Sequence, residues 1–261
     1  MNRIAKQLLL TSALMAVAAS AWAGEYSKRY TRIASFDGAE LGALVLEPKN
    51  QGAGPFPLVV MPASWSLPNL EYLGRAVQMA EDGYVVVSYT SRGFWDSQGR
   101  IDIAGAATVE DVSSVIDWAL ANTGANPQAI GASGISYGAG VSLLAAGRDP
   151  RIKAVAALSG WADLEASLYA NKTPSKQGIL LLGGAGALTG RPGPELQAVI
   201  SNGLSGNFHG AVDAVMPVAA ERGAASELAN INANGTAVLV ANAYNDALFP
   251  PSQLTAFYSG L

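Results

Sequence analysis

The sequence predicts an α/β architecture, a mostly parallel sheet with helices on both faces. Three observations carry that prediction. Short apolar runs of strand length alternate with amphipathic stretches of helical period, as in successive βα units. Several of those runs, PLVVMPAS from Pro57 and YVVVSYT from Tyr84 among them, are continuous rather than alternating, as in strands buried on both faces. The links between strand and helix are short, as crossover connections are. With 261 residues, 50% of them hydrophobic, the chain can fill one large core.

Taken in order, Tyr30 to Phe36 and Leu41 to Leu46 alternate as two strands, with Asp37-Gly38 as the turn between them. The buried strand from Pro57 follows. Leu70, Leu73, Ala76, Val77 and Ala80 then repeat at helical spacing, and Gly83 ends that helix. After the strand from Tyr84 comes the loop SRGFWDSQGRID. Thr108 starts the next helix, with Asp111 three residues on as a capping box. QAIGASG is a strand, SYGAGVSLLAAG a helix and IKAVAALSG a strand. From Trp161 to about Asn232 the alternation breaks, and an inserted, mainly helical cap is expected over about 164–232. The rhythm resumes at GTAVLVANAYND, and PSQLTAFYSGL opens a further helix.

The first 23 residues carry Arg3 and Lys6, an apolar run from Leu8 to about Ala19, and the small residues Ala21 and Ala23 around Trp22. That is the pattern of a cleaved export signal, with the mature chain starting near Gly24 and lying in the periplasm or outside the cell. The run is too short to span a bilayer of about 30 Å. The chain has no cysteine, so disulfides are excluded and the core or a metal must hold the fold. Its formal net charge is −4 with no basic stripe, which argues against nucleic acid as a partner. No group of His, Cys and acidic residues has metal-ligand spacing, and no cofactor is expected. The run Gly183 to Gly190 lacks the Gly-Lys-Ser/Thr end and the G-x-G-x-x-G spacing of a phosphate loop. Close helix packing in the cap, or a lid, accounts for it.

The chemistry concentrates at Gly134-Ile135-Ser136-Tyr137-Gly138, which fits G-x-S-x-G between a predicted strand and a predicted helix. Such a turn exposes the serine hydroxyl above the carboxyl ends of the strands. The helix behind it offers backbone N–H groups, that of Tyr137 first, to a developing oxyanion. The alternative is a glycine-rich turn with an idle serine. Asp246 lies just past the apolar run Ala237 to Ala241, at a strand's carboxyl end, where catalytic groups gather in open α/β sheets. Its alternative is an ordinary turn aspartate. Asp163 also follows a strand, and capping the helix that starts at Leu164 accounts for it.

Four segments together resemble the α/β-hydrolase family of cocaine esterases and X-Pro dipeptidyl peptidases. They are the elbow with tyrosine directly after the serine, RGFWDSQG at 92–99, SGWAD after the next strand, and NAYNDALFPPSQ at 242–253. The resemblance covers most of Tyr30 to Leu261. It implies an α/β-hydrolase fold and a serine hydrolase that cleaves esters or amides, small-molecule esters or short peptides, through an acyl-enzyme. It also implies Ser136 as nucleophile and Asp246 as the acid that orients a histidine. The family's second oxyanion donor, often a tyrosine hydroxyl, comes from the loop after the third strand. Here that loop reads Pro62-Ala63-Ser64-Trp65, and a backbone N–H, the Ser64 hydroxyl or the Trp65 indole N–H could serve. Arg92 and Asp96 are expected to be structural, as an ion pair or a turn.

In this fold the histidine follows the acid. Only Ala247 to Leu261 follows Asp246 here, and it holds no histidine. The one histidine, His209, precedes Asp246 in the predicted cap. The expectation is a chain truncated before the catalytic histidine and the family's C-terminal β-sandwich. Three outcomes stay open: a serine hydrolase scaffold, a non-catalytic fragment or pseudoenzyme, and a short hydrolase that uses His209.

Overall fold

The structure, a computed structural model, describes residues 25–261. The predicted export signal lies outside the described residues. Seven strands form one sheet: β1 (Glu25–Ala34), β2 (Glu40–Lys49), β3 (Phe56–Pro62), β4 (Val85–Tyr89), β5 (Ala125–Ile135), β6 (Ile152–Leu158) and β7 (Ala237–Ala241). Their order is β1-β2-β4-β3-β5-β6-β7. The pairs β1–β2 and β2–β4 are antiparallel, and every pair from β4 through β3 to β7 is parallel. The Asp37-Gly38 turn joins β1 to β2 with Gly38 at φ +82°, a left-handed backbone that glycine adopts without a Cβ penalty. β1 begins at Glu25 rather than at Tyr30. In its polar first half only Tyr26 packs inward, and pairing in register with β2, from Glu25 opposite Lys49, makes it a strand all the same.

Helix α1 (Leu73–Glu81) covers one face of the sheet, where Ala76 and Ala80 meet Leu44, Leu46 and Val86. Helices α2 (Ala106–Asn122) and α3 (Tyr137–Arg148) cover the other. Every residue of α3 from Tyr137 to Gly147 is buried, which makes it the helix around which the core is built.

The start of α2 corrects the capping box. The helix begins at Ala106, and Asp102, not Thr108, supplies the cap: its carboxylate accepts from the Thr108 N–H at 3.2 Å and the Thr108 hydroxyl at 2.5 Å. Asp111 is fully buried and is taken by Arg92, with Nη2 to Oδ1 at 2.5 Å and Nε to Oδ2 at 3.0 Å. Burial pushes the Asp111 carboxyl up to about 6, against the pull of the Arg92 guanidinium. Arg92 also reaches Asp37 at 2.6 Å. It does not pair with Asp96, which instead receives Arg32 Nη1 at its backbone carbonyl, 2.6 Å away.

Between β6 and β7 the chain forms six α-helices: α4 (Leu164–Leu168), α5 (Lys176–Thr189), α6 (Pro194–Leu204), α7 (Phe208–Asp213), α8 (Met216–Ala219) and α9 (Leu228–Asn234). The link from α5 to α6 is strapped to the loop after β4. Trp95 N–H donates to Thr189 O at 2.7 Å, Arg191 N–H to Gly93 O at 2.8 Å and Ile101 N–H to Arg191 O at 2.9 Å. That loop is RGFWDSQG, and Phe94 within it is fully buried.

Helix α10 (Thr255–Gly260) ends the chain. On the α1 side, the face of β5, β6 and β7 borders an open groove of about 750 Å³, where Ile135, Leu158 and Leu239 are 40%, 40% and 56% exposed. Among the described residues no helix is long and apolar enough to cross a membrane.

Candidate active site

Ser136 stands at the junction of β5 and α3, half-buried, with φ 54° and ψ −116°. A non-glycine residue held there costs about 1–3 kcal/mol, and the surrounding structure must impose it. The restraints are specific. Ser136 N–H donates to Leu158 O at 2.9 Å, and Ser136 O accepts from Ala139 and Gly140 at 3.1 Å each. A Cβ on Gly134 would come within 2.6 Å of Gly138 O, and a Cβ on Gly138 would collide with Pro62 O. So β3, β5 and α3 close on one another only because both elbow positions are glycine.

A second brace lies under the elbow. The Tyr72 hydroxyl accepts from Ile135 N–H at 2.9 Å. The Ser64 hydroxyl donates to Ile135 O at 2.8 Å, and Glu71 accepts from Ser64 N–H at 2.7 Å. Burial, with the neighbouring Glu71 carboxylate, pushes the Tyr72 hydroxyl well above its ordinary pKa, so it stays protonated.

As the first residue of α3, Tyr137 has an N–H without an intrahelical partner. Its hydroxyl accepts from Ala104 N–H at 2.7 Å, which turns the ring away from that N–H and into the wall of the site. The loop after β3 narrows the second donor. Ser64 spends both its N–H and its hydroxyl, as above. The Trp65 indole N–H donates to Leu182 O of α5 at 2.9 Å, so the indole is not a free donor. The Trp65 backbone N–H has no acceptor among the described residues. The Trp65 and Tyr137 rings meet edge-on, 5.1 Å between centroids.

Asp246 lies past the carboxyl end of β7, two strands from Ser136, a lateral distance of about 10 Å at the usual strand spacing. Its carboxylate accepts from Leu248 N–H at 3.0 Å, Phe249 N–H at 2.9 Å and the Ser159 hydroxyl. Partial burial pushes its pKa up, but these donors outweigh it, and Asp246 ionises below the ordinary carboxylate value. Ser159 was not legible as a site residue. It follows β6, holds φ 53°, and bridges the ends of β6 and β7, since its N–H donates to Ala241 O at 2.8 Å. The signal available was position alone, a serine directly after an apolar run.

His209, on α7, is exposed, and its Nδ1 lies 3.1 Å from the Tyr169 hydroxyl. It does not line the cavity at Ser136. Asp163 accepts from Ala166 N–H at 2.9 Å and caps α4. Among the described residues no group of three or more His, Cys, Asp or Glu could hold a metal.

The cavity at Ser136 has a volume of about 80 Å³. Trp65, Tyr137, Trp161 and Phe249 come from around the sheet, and Leu182 and Val212 from the inserted helices. Phe249 therefore links the two predicted residues: its N–H holds Asp246 and its ring faces the cavity that Ser136 opens on.

A family model described as X-Pro dipeptidyl-peptidase (S15 family) matches residues 37–261. The chain is also 36% identical over 84 residues to an uncharacterized 31.7 kDa protein of Escherichia coli, a match that covers 32% of this chain and 29% of that protein. The chain thus spans well under two thirds of the length of the curated relatives it matches. Among solved structures it is similar to an esterase of Pyrococcus furiosus, with TM-score 0.60, 14% identity, and coverage of 92% of this chain and 78% of that one. It is similar to an acylaminoacyl peptidase of Pyrococcus horikoshii, with TM-score 0.60, 18% identity, and coverage of 90% and 34%. A hypothetical protein of Pseudomonas aeruginosa matches with TM-score 0.60, 18% identity, and coverage of 92% and 84%. These likenesses establish the α/β-hydrolase fold.

Proposed function

Because the chain belongs to the X-Pro dipeptidyl-peptidase (S15) family, we propose that it is a serine hydrolase whose nucleophile is Ser136. The observation that carries this is the backbone of Ser136, held at φ 54° and ψ −116° at a helix N-terminus that is glycine-packed on both sides. An idle serine gains nothing from that strain. In the reaction Ser136 Oγ adds to an ester or amide carbonyl carbon. Charge builds on the carbonyl oxygen, and the backbone N–H groups of Tyr137 and Trp65 receive it. The tetrahedral species collapses, expels an alcohol or amine that carries away the proton given up by the Ser136 hydroxyl, and leaves an acyl-serine, which water then cleaves to the acid and free serine.

Asp246 supplies the acid of the constellation, ionised at neutral pH and fixed by Ser159, Leu248 and Phe249. The single histidine pairs with Tyr169, so these residues bring no imidazole to Ser136. Turnover by this chain alone is therefore slow, of the size left when one triad member is removed, roughly 10³–10⁴-fold over water. The helices α4 to α9 act as a cap over the site.

The test is labelling with a fluorophosphonate, read by mass spectrometry. Slow modification of Ser136, lost in Ser136→Ala and unchanged in His209→Ala, is expected. A folded wild type that is never labelled would make the chain non-catalytic. Fast labelling that His209→Ala removes would make His209 the base.

Export belongs to the same proposal. Arg3 and Lys6 before the apolar run, then Ala21 and Ala23, support cleavage after Ala23. N-terminal sequencing of the exported protein should begin at Gly24; an intact Met1 would refute it. The acidic balance and lack of a basic stripe support small-molecule or peptide substrates and no nucleic acid.

A further inference from the structure

Two residues at the wall of the Ser136 cavity hold a backbone that their side chains disfavour. Ile103, which lines the cavity, and Ala104 follow one another at φ 53° and φ 57°. A left-handed backbone is costly for a residue with a Cβ. For a β-branched one it is an outlier that the surroundings must impose. Both flanks of this turn are fixed. On one side Ile101 N–H donates to Arg191 O and Ile101 O accepts from Gly193 N–H, each at 2.9 Å. On the other, the Asp102 carboxylate accepts from Thr108 N–H at 3.2 Å and from the Thr108 hydroxyl at 2.5 Å. A Cβ on Gly105 would come within 2.8 Å of Asp102 Oδ2, so the carboxylate folds back over the turn. Capping α2 asks only for an acceptor beside its first N–H groups, and Gly105 holds the cap position itself. It does not ask for two left-handed residues in a row.

What the turn delivers is a grip on Tyr137. Ala104 is buried, and its N–H donates to the Tyr137 hydroxyl at 2.7 Å. The Thr108 hydroxyl that Asp102 holds borders the same oxygen. Burial, with the Asp102 carboxylate, pushes the Tyr137 hydroxyl well above its ordinary pKa, so it stays protonated. The ring also meets Trp65 and Phe94 edge-on. Ring and backbone N–H hang from one Cα at the first position of α3. Gripping the ring at its edges and its hydroxyl therefore fixes where that N–H points.

Resting on the serine-hydrolase reading above, we infer that Asp102 is a positioning residue of this active site. Through the Ile103-Ala104 turn and Thr108 it clamps the Tyr137 hydroxyl, and so aims the Tyr137 N–H at the carbonyl oxygen on which charge develops. Asp102 touches no substrate. Its effect belongs to the chemical step and not to binding, because the N–H acts on charge that forms only in the reaction. Losing an oxyanion donor outright costs about 10²–10³-fold, and a misaimed donor that keeps part of its effect should cost roughly tenfold.

The rate of fluorophosphonate labelling of Ser136 is measured against reagent concentration in the full chain. The variants are Asp102→Ala, Thr108→Val, Tyr137→Phe, and the first two each combined with Tyr137→Phe. Asp102→Ala should lower the maximal rate about tenfold and leave the half-saturating concentration within about twofold of wild type. Tyr137→Phe should be slowed to a similar extent. In that background Asp102→Ala should slow labelling by less than about twofold more, while urea unfolding shows the same loss of stability in both backgrounds. Should Asp102→Ala not fold, Thr108→Val decides, since it keeps the capping N–H, removes the bridging hydroxyl and should show the same pattern.

Equal slowing with and without the Tyr137 hydroxyl, an effect on half-saturation alone, or no slowing at all would each overturn the assignment. A second arm needs no chemistry at Ser136. In protein labelled with nitrogen-15 tyrosine, the Tyr137 amide resonance is identified by its loss in Tyr137→Phe, and it should shift in Asp102→Ala. If the wild type is never labelled at Ser136 but this resonance moves, the hydrolase reading fails while the clamp stands. A labelled wild type whose Tyr137 resonance is unmoved by Asp102→Ala overturns the clamp.

Discussion

Replacing Arg92 by Met tests how the loop after β4 is held. Arg92 is 5% exposed and Asp111 is 0% exposed, so the pair is out of water on both sides. Breaking a buried pair by removing one partner costs about 3–5 kcal/mol, since the other charge is left uncompensated. The second contact, to Asp37, adds little, because Asp37 is 39% exposed and such pairs are worth ~0–1 kcal/mol. A domain of this size is stable by about 5–15 kcal/mol, so the loss is a large share of the total. At ~2–4 °C per kcal/mol, Tm should fall by roughly 10 °C. The loss should also depend on pH. Asp111 already titrates at about 6 because burial outweighs the guanidinium. Without Arg92 its pKa rises further. A raised carboxyl pKa favours the folded state as protons bind, so the variant should recover towards pH 5 and be weakest at pH 8. The assay is urea unfolding followed by circular dichroism at both pH values, for Arg92→Met, Asp111→Asn and the double variant. The double variant should lose less than the sum of the singles, by more than the ~0.5 kcal/mol expected of independent sites. A loss under about 1 kcal/mol with no pH dependence, or strict additivity, would refute the buried-charge argument.

Three further outcomes follow. Tyr72→Phe removes the acceptor of Ile135 N–H, costs ~1–3 kcal/mol, and should slow fluorophosphonate labelling of Ser136 several-fold because the elbow relaxes; an unchanged labelling rate would mean that the glycine packing alone holds it. Burial pushes the Asp149 carboxyl up, but donors from Arg151 and Ser113 outweigh it and hold it below 3.8, so the stability it supplies is present above that value and is lost as pH falls through the lowered one. Tm should therefore fall between pH 5 and pH 3, and less steeply in Asp149→Asn; equal slopes would exclude this carboxylate as the cause. Leu239 is 56% exposed on β7, which pairs only with β6 among the described residues, so Leu239→Lys should reduce light scattering on heating while leaving the unfolding free energy within ~0.5 kcal/mol of wild type.

What was legible in the sequence is what short range decides. The continuous apolar runs fix strands buried on both faces, and the elbow is readable because a strand, two glycines and a helix lie within one window. The capping box at Thr108 and Asp111 failed for the opposite reason. Its spacing is local, but Asp111 is claimed by Arg92 from the loop after β4, and no window contains both. β1 likewise begins five residues before its pattern does, because its partner strand supplies the order that its own side chains lack.

The same distinction explains the site. The proposed nucleophile Ser136, the Tyr137 N–H and Asp246 each sit where a local pattern ends, so the sequence singles them out as candidates. Among the candidates for the second oxyanion donor, the choice turns on partners distant in sequence. Glu71 takes Ser64, and Leu182 of the inserted helices takes the Trp65 indole, which leaves the Trp65 backbone N–H. Ser159 matters only because β6 and β7 are neighbours, and its hydroxyl then meets Asp246. Specificity is further still from the elbow. Val212 and Leu182 lie in the stretch where strand and helix cease to alternate, and they reach the cavity at Ser136 only because α5 and α7 fold over it. A change there should alter which ester is cleaved and leave the labelling chemistry of Ser136 as it was.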